Sequence, residues 1–124
     1  MDASAIRIEV ETEYLDQQSD PEQGRYAFAY RITIGNQGTR SAQLVSRHWI
    51  ITDADGGVQE VRGEGVVGEQ PTIQPGEGFR YSSGAVLPTP VGSMRGTYQM
   101  SDESGRRFEV PIPAFTLARP GALH

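Results

Sequence analysis

Three glycines in the middle of the chain have the spacing of a dinucleotide-binding motif. Gly63, Gly65 and Gly68 fit the pattern G-x-G-x-x-G. That motif holds a pyrophosphate only where the glycine turn leads from a strand into a helix, whose N-terminal N–H groups and dipole attract the anion. Here Pro71 and Pro75 follow the glycines, so the sequence does not allow a helix of useful length at this place.

Two interpretations of this glycine segment, residues 62–71, remain open. In the first, the glycines supply positive φ angles or close backbone approach in an ordered crossing between sheets, packed by Val66 and Val67. In the second, the backbone N–H groups form an anion nest, and Arg47, Arg62 or Arg80 supplies charge to a phosphate. The candidate residues for binding a ligand or a partner are Arg47, His48, Gly63, Glu64, Gly65, Val66, Val67, Gly68, Arg80 and Tyr81.

Residues that bind metals or perform catalysis are scarce. The chain has no cysteine and two histidines, of which His48 is internal. We interpret His48 as a half-buried, hydrogen-bonded imidazole in a strand. Asp53 and Asp55 precede two glycines and lack the later glutamate of a calcium loop, which is typical of a turn. Because Gly-x-Ser-x-Gly is also absent, the sequence predicts no catalytic residue, no metal site, no cofactor and no enzymatic activity.

Composition narrows the choice of partner. All 11 basic residues are arginine, so lysine chemistry is excluded, and the net charge of −5 argues against binding to nucleic acid, whose phosphates repel an acidic surface. The first residues carry no basic region or apolar run, and no long apolar stretch follows. We therefore expect a cytoplasmic protein that does not contact a membrane.

Hydrophobic residues alternate with a period of two, which is typical of strands with one buried face. This pattern predicts strands at residues 6–10, 26–34, 42–52, 58–61, 78–86, 94–100 and 108–117. With 124 residues the chain is expected to form one domain, with a core at about 4–117 and a flexible tail at 118–124. The predicted fold is all-β, an immunoglobulin-like or fibronectin type III-like antiparallel β-sandwich of about seven strands.

Particular residues predict which strands lie at the edges and what lies inside. Pro111 and Pro113 suit an edge strand, and Glu9, Glu11 and Glu13 are expected to form a solvated edge that resists aggregation. The spacing Gly96-x-Tyr98-x-Met100 is that of the tyrosine corner of immunoglobulin-like domains. It predicts that Trp49 is buried between the sheets near Tyr98 and Met100.

Five runs of residues together resemble the ApaG family. They are RHWIITD at 47–53, GEGVVGEQP at 63–71, PGE-x-F-x-Y-x-SG at 75–84, TP-x-G-x-M-x-G-x-Y-x-M at 89–100 and F-x-V-x-IP-x-F-x-L at 108–117. The resemblance spans nearly the whole chain. It implies a fibronectin type III-like sandwich in a bacterial protein associated with cobalt and magnesium tolerance, and described as an efflux protein. Related domains in eukaryotic proteins resemble partner-binding modules.

The resemblance and the residues lead to one expected function and one alternative. A pump must span a bilayer, so any effect on cobalt or magnesium efflux is expected to be indirect. We expect a non-catalytic interaction module whose partner is another protein. The alternative is a protein that binds an anionic phosphate or nucleotide compound through the GEGVVG loop at residues 63–68.

Overall fold

The structure is a computed structural model that describes residues 1–122. It contains three short 3-10 helices, at Ala3–Ala5, Asp16–Gln18 and Pro21–Gln23, none of them long and apolar enough to cross a membrane. The strands are β1 (Ile6–Tyr14), β2 (Tyr26–Asn36), β3 (Ala42–Asp53), β4 (Val58–Glu64), β5 (Thr72–Ile73), β6 (Gly78–Leu87), β7 (Val91–Asp102) and β8 (Arg107–Ala118).

The strands form two antiparallel sheets that pack face to face, so the predicted all-β sandwich is confirmed. One sheet has the order β1-β2-β6, and the other has the order β4-β3-β7-β8, with the two-residue strand β5 also paired to β3. The predicted seven strands are present and β5 is an eighth. Two residues are too few for alternation to reveal a strand, and β4 was predicted too short because both of its faces are exposed.

The core lies between the two sheets. On β2 the side chains of Phe28, Ile32 and Ile34 are almost completely buried, while Arg31 between them is exposed. Trp49 on β3 is also buried, with its ring centroid 6.3 Å from that of Tyr98, so the predicted position of the tryptophan is confirmed. The Trp49 ring also lies 5.5 Å from that of Tyr30 on β2, and this contact joins the two sheets because ring edges are attracted to ring faces.

The prediction of a tyrosine corner at Tyr98 is wrong. In a tyrosine corner the hydroxyl bonds to the backbone a few residues upstream. Here the Tyr98 hydroxyl is hydrogen-bonded to that of Tyr81, which lies on β6 in the opposite sheet. Gly96 is required for a different reason. A Cβ at this position would collide with the carbonyl oxygen of His48, next to an irregularity in the pairing of β7 with β8.

Asp102 ties the end of β7 to the start of the chain. Its Oδ2 accepts a hydrogen bond of 2.8 Å from the Met1 ammonium, and its Oδ1 accepts bonds from the Ser104 hydroxyl and from the N–H groups of Ser104 and Arg106. The Met1 ammonium and these donors hold the pKa of the Asp102 carboxyl well below its usual range. The carboxylate therefore organises the turn between β7 and β8.

The end of β8 lies close to the predicted boundary of the tail. β8 continues to Ala118, one residue beyond the predicted core. The Arg119 N–H then donates to the Pro90 carbonyl at 2.8 Å, and the Ala122 N–H donates to the Arg119 carbonyl at 2.9 Å. The rest of the predicted tail, residues 123–124, lies outside the described residues.

Candidate interaction surface

The glycine segment is a tight turn that follows β4. Val66 and Glu69 exchange two backbone hydrogen bonds, of 2.8 and 2.9 Å, around the central residues Val67 and Gly68. Both central residues have positive φ angles, +43° at Val67 and +80° at Gly68. Two successive positive φ angles are typical of a type I′ turn. Gly65, which precedes the turn, also has a positive φ, +62°.

Three N–H groups at this turn already donate to backbone carbonyls. Gly65 donates to Val45 at 2.8 Å, and Val66 and Glu69 donate to each other. An anion nest needs successive N–H groups that converge on an open site. The hydrogen bonds therefore favour the first interpretation of the segment in that its glycines are structural. Two details of that interpretation are wrong: the segment joins β4 to β5 within one sheet instead of crossing between sheets, and of the two valines only Val66 is packed.

Arg47 and Gly63 face each other across β3 and β4. The Arg47 Nη1 donates to the carbonyls of Gly65 at 2.8 Å and of Glu64 at 3.2 Å. The guanidinium lies flat over Gly63, where a Cβ would stand 2.7 Å from Nη1. Gly63 is thus the residue that leaves space for the guanidinium, and Arg47 fixes the start of the turn.

His48 lies on the other, solvent-facing side of the same sheet. With Glu64, Thr97 and Glu109 it lines an open cavity of about 560 Å³. The predicted half-burial of the imidazole is confirmed, with 21% of the side chain exposed. The predicted hydrogen bond is not found at Nε2, which is buried and stands 3.7 Å from Glu60 Oε1. Within residues 1–122 no three histidine or carboxylate side chains converge to hold a metal ion.

The remaining candidates lie elsewhere, so the ten predicted residues do not form one site. Val66 and Tyr81 are buried in the core, with 1% and 7% exposed, and neither presents a surface to a ligand. Arg80 is on the outer face of the three-stranded sheet, where its Nη2 stands 3.6 Å from Glu11 Oε1. Val67, by contrast, is 58% exposed at the tip of the turn.

Three of the four sheet edges carry residues that discourage another strand from pairing. β1 presents Glu9, Glu11 and Glu13, which confirms the predicted charged edge, and β8 contains Pro111 and Pro113, as predicted. Along its outer face β4 carries three charged side chains of alternating sign, namely Glu60, Arg62 and Glu64. Edge charges and prolines are common devices against aggregation.

The fourth edge, that of β6, has little such protection. Over its 10 residues β6 has one charged residue, Arg80, and no proline. The Asn36 N–H donates to the Glu77 carbonyl, so these two residues are a hydrogen-bonded pair. Hydrogen-bonded and non-hydrogen-bonded pairs alternate along an antiparallel ladder, so every second residue of β6 points its N–H and C=O groups away from β2. The outward N–H and C=O groups, called here the free edge of β6, belong to Gly78, Arg80, Ser82, Gly84 and Val86. The sequence did not reveal this edge, because alternation along single strands does not establish their order in a sheet.

Comparison with known proteins identifies close relatives. The family model for the ApaG domain matches residues 16–102. Protein ApaG of Acidithiobacillus ferrooxidans is 63% identical over 119 residues, covering 96% of this chain and 94% of the relative. An X-ray structure of a structural genomics target is 56% identical with a TM-score of 0.93, covering 98% of this chain and 92% of that chain. The crystal structure of a Bordetella pertussis protein is 55% identical with a TM-score of 0.91, covering 94% of each chain.

Proposed function

Because this chain belongs to the ApaG domain family, we propose that it is a non-catalytic module that binds another protein along the free edge of β6. The observation that carries the proposal is the contrast between this edge and the other three. A row of backbone donors and acceptors is a template for an extended segment of a partner, and main-chain hydrogen bonds give such complexes their affinity.

The surroundings of His48 support a role without catalysis. A general base needs a hydrogen bond to its nucleophile or to a water, and a further group that orients it. The His48 Nε2 has no hydrogen-bond partner among the described residues, and the cavity beside it opens on the solvent-facing side of a sheet. On this proposal an effect on cobalt or magnesium tolerance is indirect and runs through the bound protein.

The proposal is tested by capture of the partner with edge variants. The chain is immobilised through its C-terminus, and proteins retained from a native cell extract are identified by mass spectrometry. Ser82→Pro removes an N–H of the free edge and leaves the pairing of β6 with β2 intact. We expect the retained partner to be lost with this variant.

Thr12→Pro is the matched control. Thr12 lies on β1, where the Leu15 N–H donates to Ala27, so alternation also turns the Thr12 N–H away from β2. The control changes an equivalent position on a charged edge, and we expect it to retain the partner. A partner that binds the wild type and Ser82→Pro equally, when both variants melt as cooperatively as the wild type, would refute the proposal.

A further inference from the structure

The two sheets differ in width, and one strand of the wider sheet is left without a facing strand. Contacts between β1 and β8 place these two strands at one side of the sandwich. The hydrogen bond between the Tyr81 and Tyr98 hydroxyls joins β6 to β7, and β3 lies next to β7. Tyr30 on β2 packs against Trp49 on β3, so the narrower sheet as a whole covers β8, β7 and β3. Beyond the free edge of β6, therefore, β4 extends alone.

Exposure along β4 agrees with this count. Val61 lies directly opposite Trp49 and on the same face of the sheet, yet 39% of Val61 is exposed whereas Trp49 is 2% exposed. The other residues of the strand are also exposed except Gly63, which is half-buried under Arg47. The free edge of β6 thus stands beside the uncovered inner face of β4, which is formed by Gln59, Val61 and Gly63. We call this recess between the two sheets the inter-sheet step.

The floor of the inter-sheet step carries one apolar and one cationic group. Val61 supplies the apolar surface, and two residues further along the strand the Arg47 guanidinium lies on Gly63. Arg47 uses Nη1 for the two carbonyls of the turn. Its Nη2 makes no hydrogen bond within the part of the chain that the structure describes, and a planar guanidinium with donors to spare is well suited to a carboxylate.

We infer that the inter-sheet step is the binding site for a single extended segment of a partner protein, with an apolar residue over Val61 and a carboxylate against Arg47. This inference rests on the proposed function and specifies the partner. The seven residues of β4 span roughly 24 Å at about 3.4 Å per residue, which is room for a segment of similar length. The added strand would give the narrower sheet a strand facing β4.

A second copy of this chain does not fit the inter-sheet step. If two β6 edges paired, the strand next to β6 would be the β6 of the second copy, which is covered by its own β3. That β3 would occupy the space in which β4 of the first copy already lies. The geometry therefore admits one strand and excludes a continuous sheet formed by two copies.

The direction of the added strand sets the order of its side chains. The Ala54 N–H donates to the Thr89 hydroxyl, so the start of β4 lies near the end of β6, and the two strands run in opposite directions. A segment antiparallel to β6, the commoner arrangement, runs in the same direction as β4 and meets Val61 before Arg47. The expected partner motif is an apolar residue followed two positions later by Asp or Glu.

The test uses synthetic heptapeptides and amide chemical shifts of the whole chain. The probe is acetyl-Thr-Val-Thr-Val-Thr-Glu-Thr-amide, in which both valines and the glutamate share one face. The matched control, acetyl-Thr-Val-Thr-Val-Glu-Thr-Thr-amide, has the same composition with the glutamate on the other face. We expect the probe to shift the amides of Ser82, Gly84 and Val61, and to bind about fivefold more tightly than the control and than a probe with Gln for Glu.

Two valines of β4 provide the matched protein variants. Val61→Glu places a carboxylate in the inter-sheet step, and Val58→Glu places one on the opposite face of the same exposed strand. We expect Val61→Glu to weaken probe binding at least about fivefold and Val58→Glu to leave it unchanged.

Three results would each overturn the inference: equal binding of the probe and the control peptide, no amide shifts at millimolar probe, or a dimer in sedimentation that Ser82→Pro dissociates. The capture experiment with Ser82→Pro separates this inference from the proposed function. If the inference fails but Ser82→Pro still loses the captured partner, the proposed function stands; if Ser82→Pro retains the partner, the proposed function fails as well.

Discussion

The hydroxyl groups of Tyr81 and Tyr98 bond to each other in the middle of the sandwich, one from each sheet. Both side chains are buried, and burial raises the pKa of each phenol far above its ordinary value, so both stay neutral. One hydroxyl donates the hydrogen bond and the other accepts it. The pair is therefore a buried polar link between the two sheets.

Removing both hydroxyls of this pair should cost less than the sum of the two single removals. Tyr98→Phe leaves the Tyr81 hydroxyl buried without its partner, and we expect a loss of about 1–3 kcal/mol in the free energy of unfolding. Tyr81→Phe should do the same. The double variant should lose less than the sum of the two, as measured by urea denaturation in a double-mutant cycle. Additive losses would show that the hydroxyls do not depend on each other.

Gly65 should tolerate substitution much less well than Gly68. Both have positive φ angles, but a Cβ on Gly65 would collide with the Glu69 carbonyl oxygen, whereas a Cβ on Gly68 would meet open space. We expect Gly65→Ala to lower the free energy of unfolding by more than about 2 kcal/mol and Gly68→Ala by about 1 kcal/mol. Equal losses in urea denaturation would mean that only φ matters at this turn.

Replacing Val67 with asparagine should stabilise the fold. A β-branched residue is disfavoured at its φ of +43°, whereas Asn is common in type I′ turns. Val67→Asn should therefore raise the free energy of unfolding by roughly 1 kcal/mol. Val58→Asn is the control, because it also replaces an exposed valine but at a strand position without positive φ. The prediction fails in thermal unfolding if Val67→Asn melts no higher than the wild type.

Asp102 should make stability depend on pH in the acid range. Its pKa is lower in the folded chain than in the unfolded chain, so its contribution is present above the unfolded pKa of about 3.9 and is lost as pH falls below it. Asp102→Asn should be less stable than the wild type at neutral pH and should lose less stability on acidification. Glu103→Gln, an exposed change in the same turn, is the control and should keep the wild-type profile of melting temperature against pH.

Pyrophosphate and ATP should leave the melting temperature unchanged, because the N–H groups of Gly65, Val66 and Glu69 and the Arg47 Nη1 are already engaged. If the segment were a phosphate site, a ligand at a hundred times its dissociation constant would stabilise the chain by about 2.7 kcal/mol. Saturable stabilisation that disappears in Arg62→Gln would contradict the prediction and support the phosphate-binding alternative.

Local patterns were sufficient to predict the fold class. The alternation in β2 predicts a strand with Phe28, Ile32 and Ile34 inside, because side chains of successive strand residues point to opposite faces and only one face can be buried. Comparison with the spacing of immunoglobulin-like domains placed Trp49 in the core, and the missing N–H groups of Pro111 and Pro113 placed β8 at an edge. Alternation has limits. It failed for β5, which is too short to show a period, and for the full length of β4, which has no buried face.

The candidate site depended on the tertiary structure. The letters of G-x-G-x-x-G are visible in the sequence, but whether their N–H groups are available depends on Val45 and Glu69, which only folding brings to them. The partner of Tyr98 could not be predicted either, since Tyr81 lies in the other sheet. Most of all, the free edge of β6 and the uncovered face of β4 follow from strand order and from the unequal width of the two sheets. Residue types determined which chain segments are strands, whereas the long-range packing of those strands decided which backbone groups remain open to a partner.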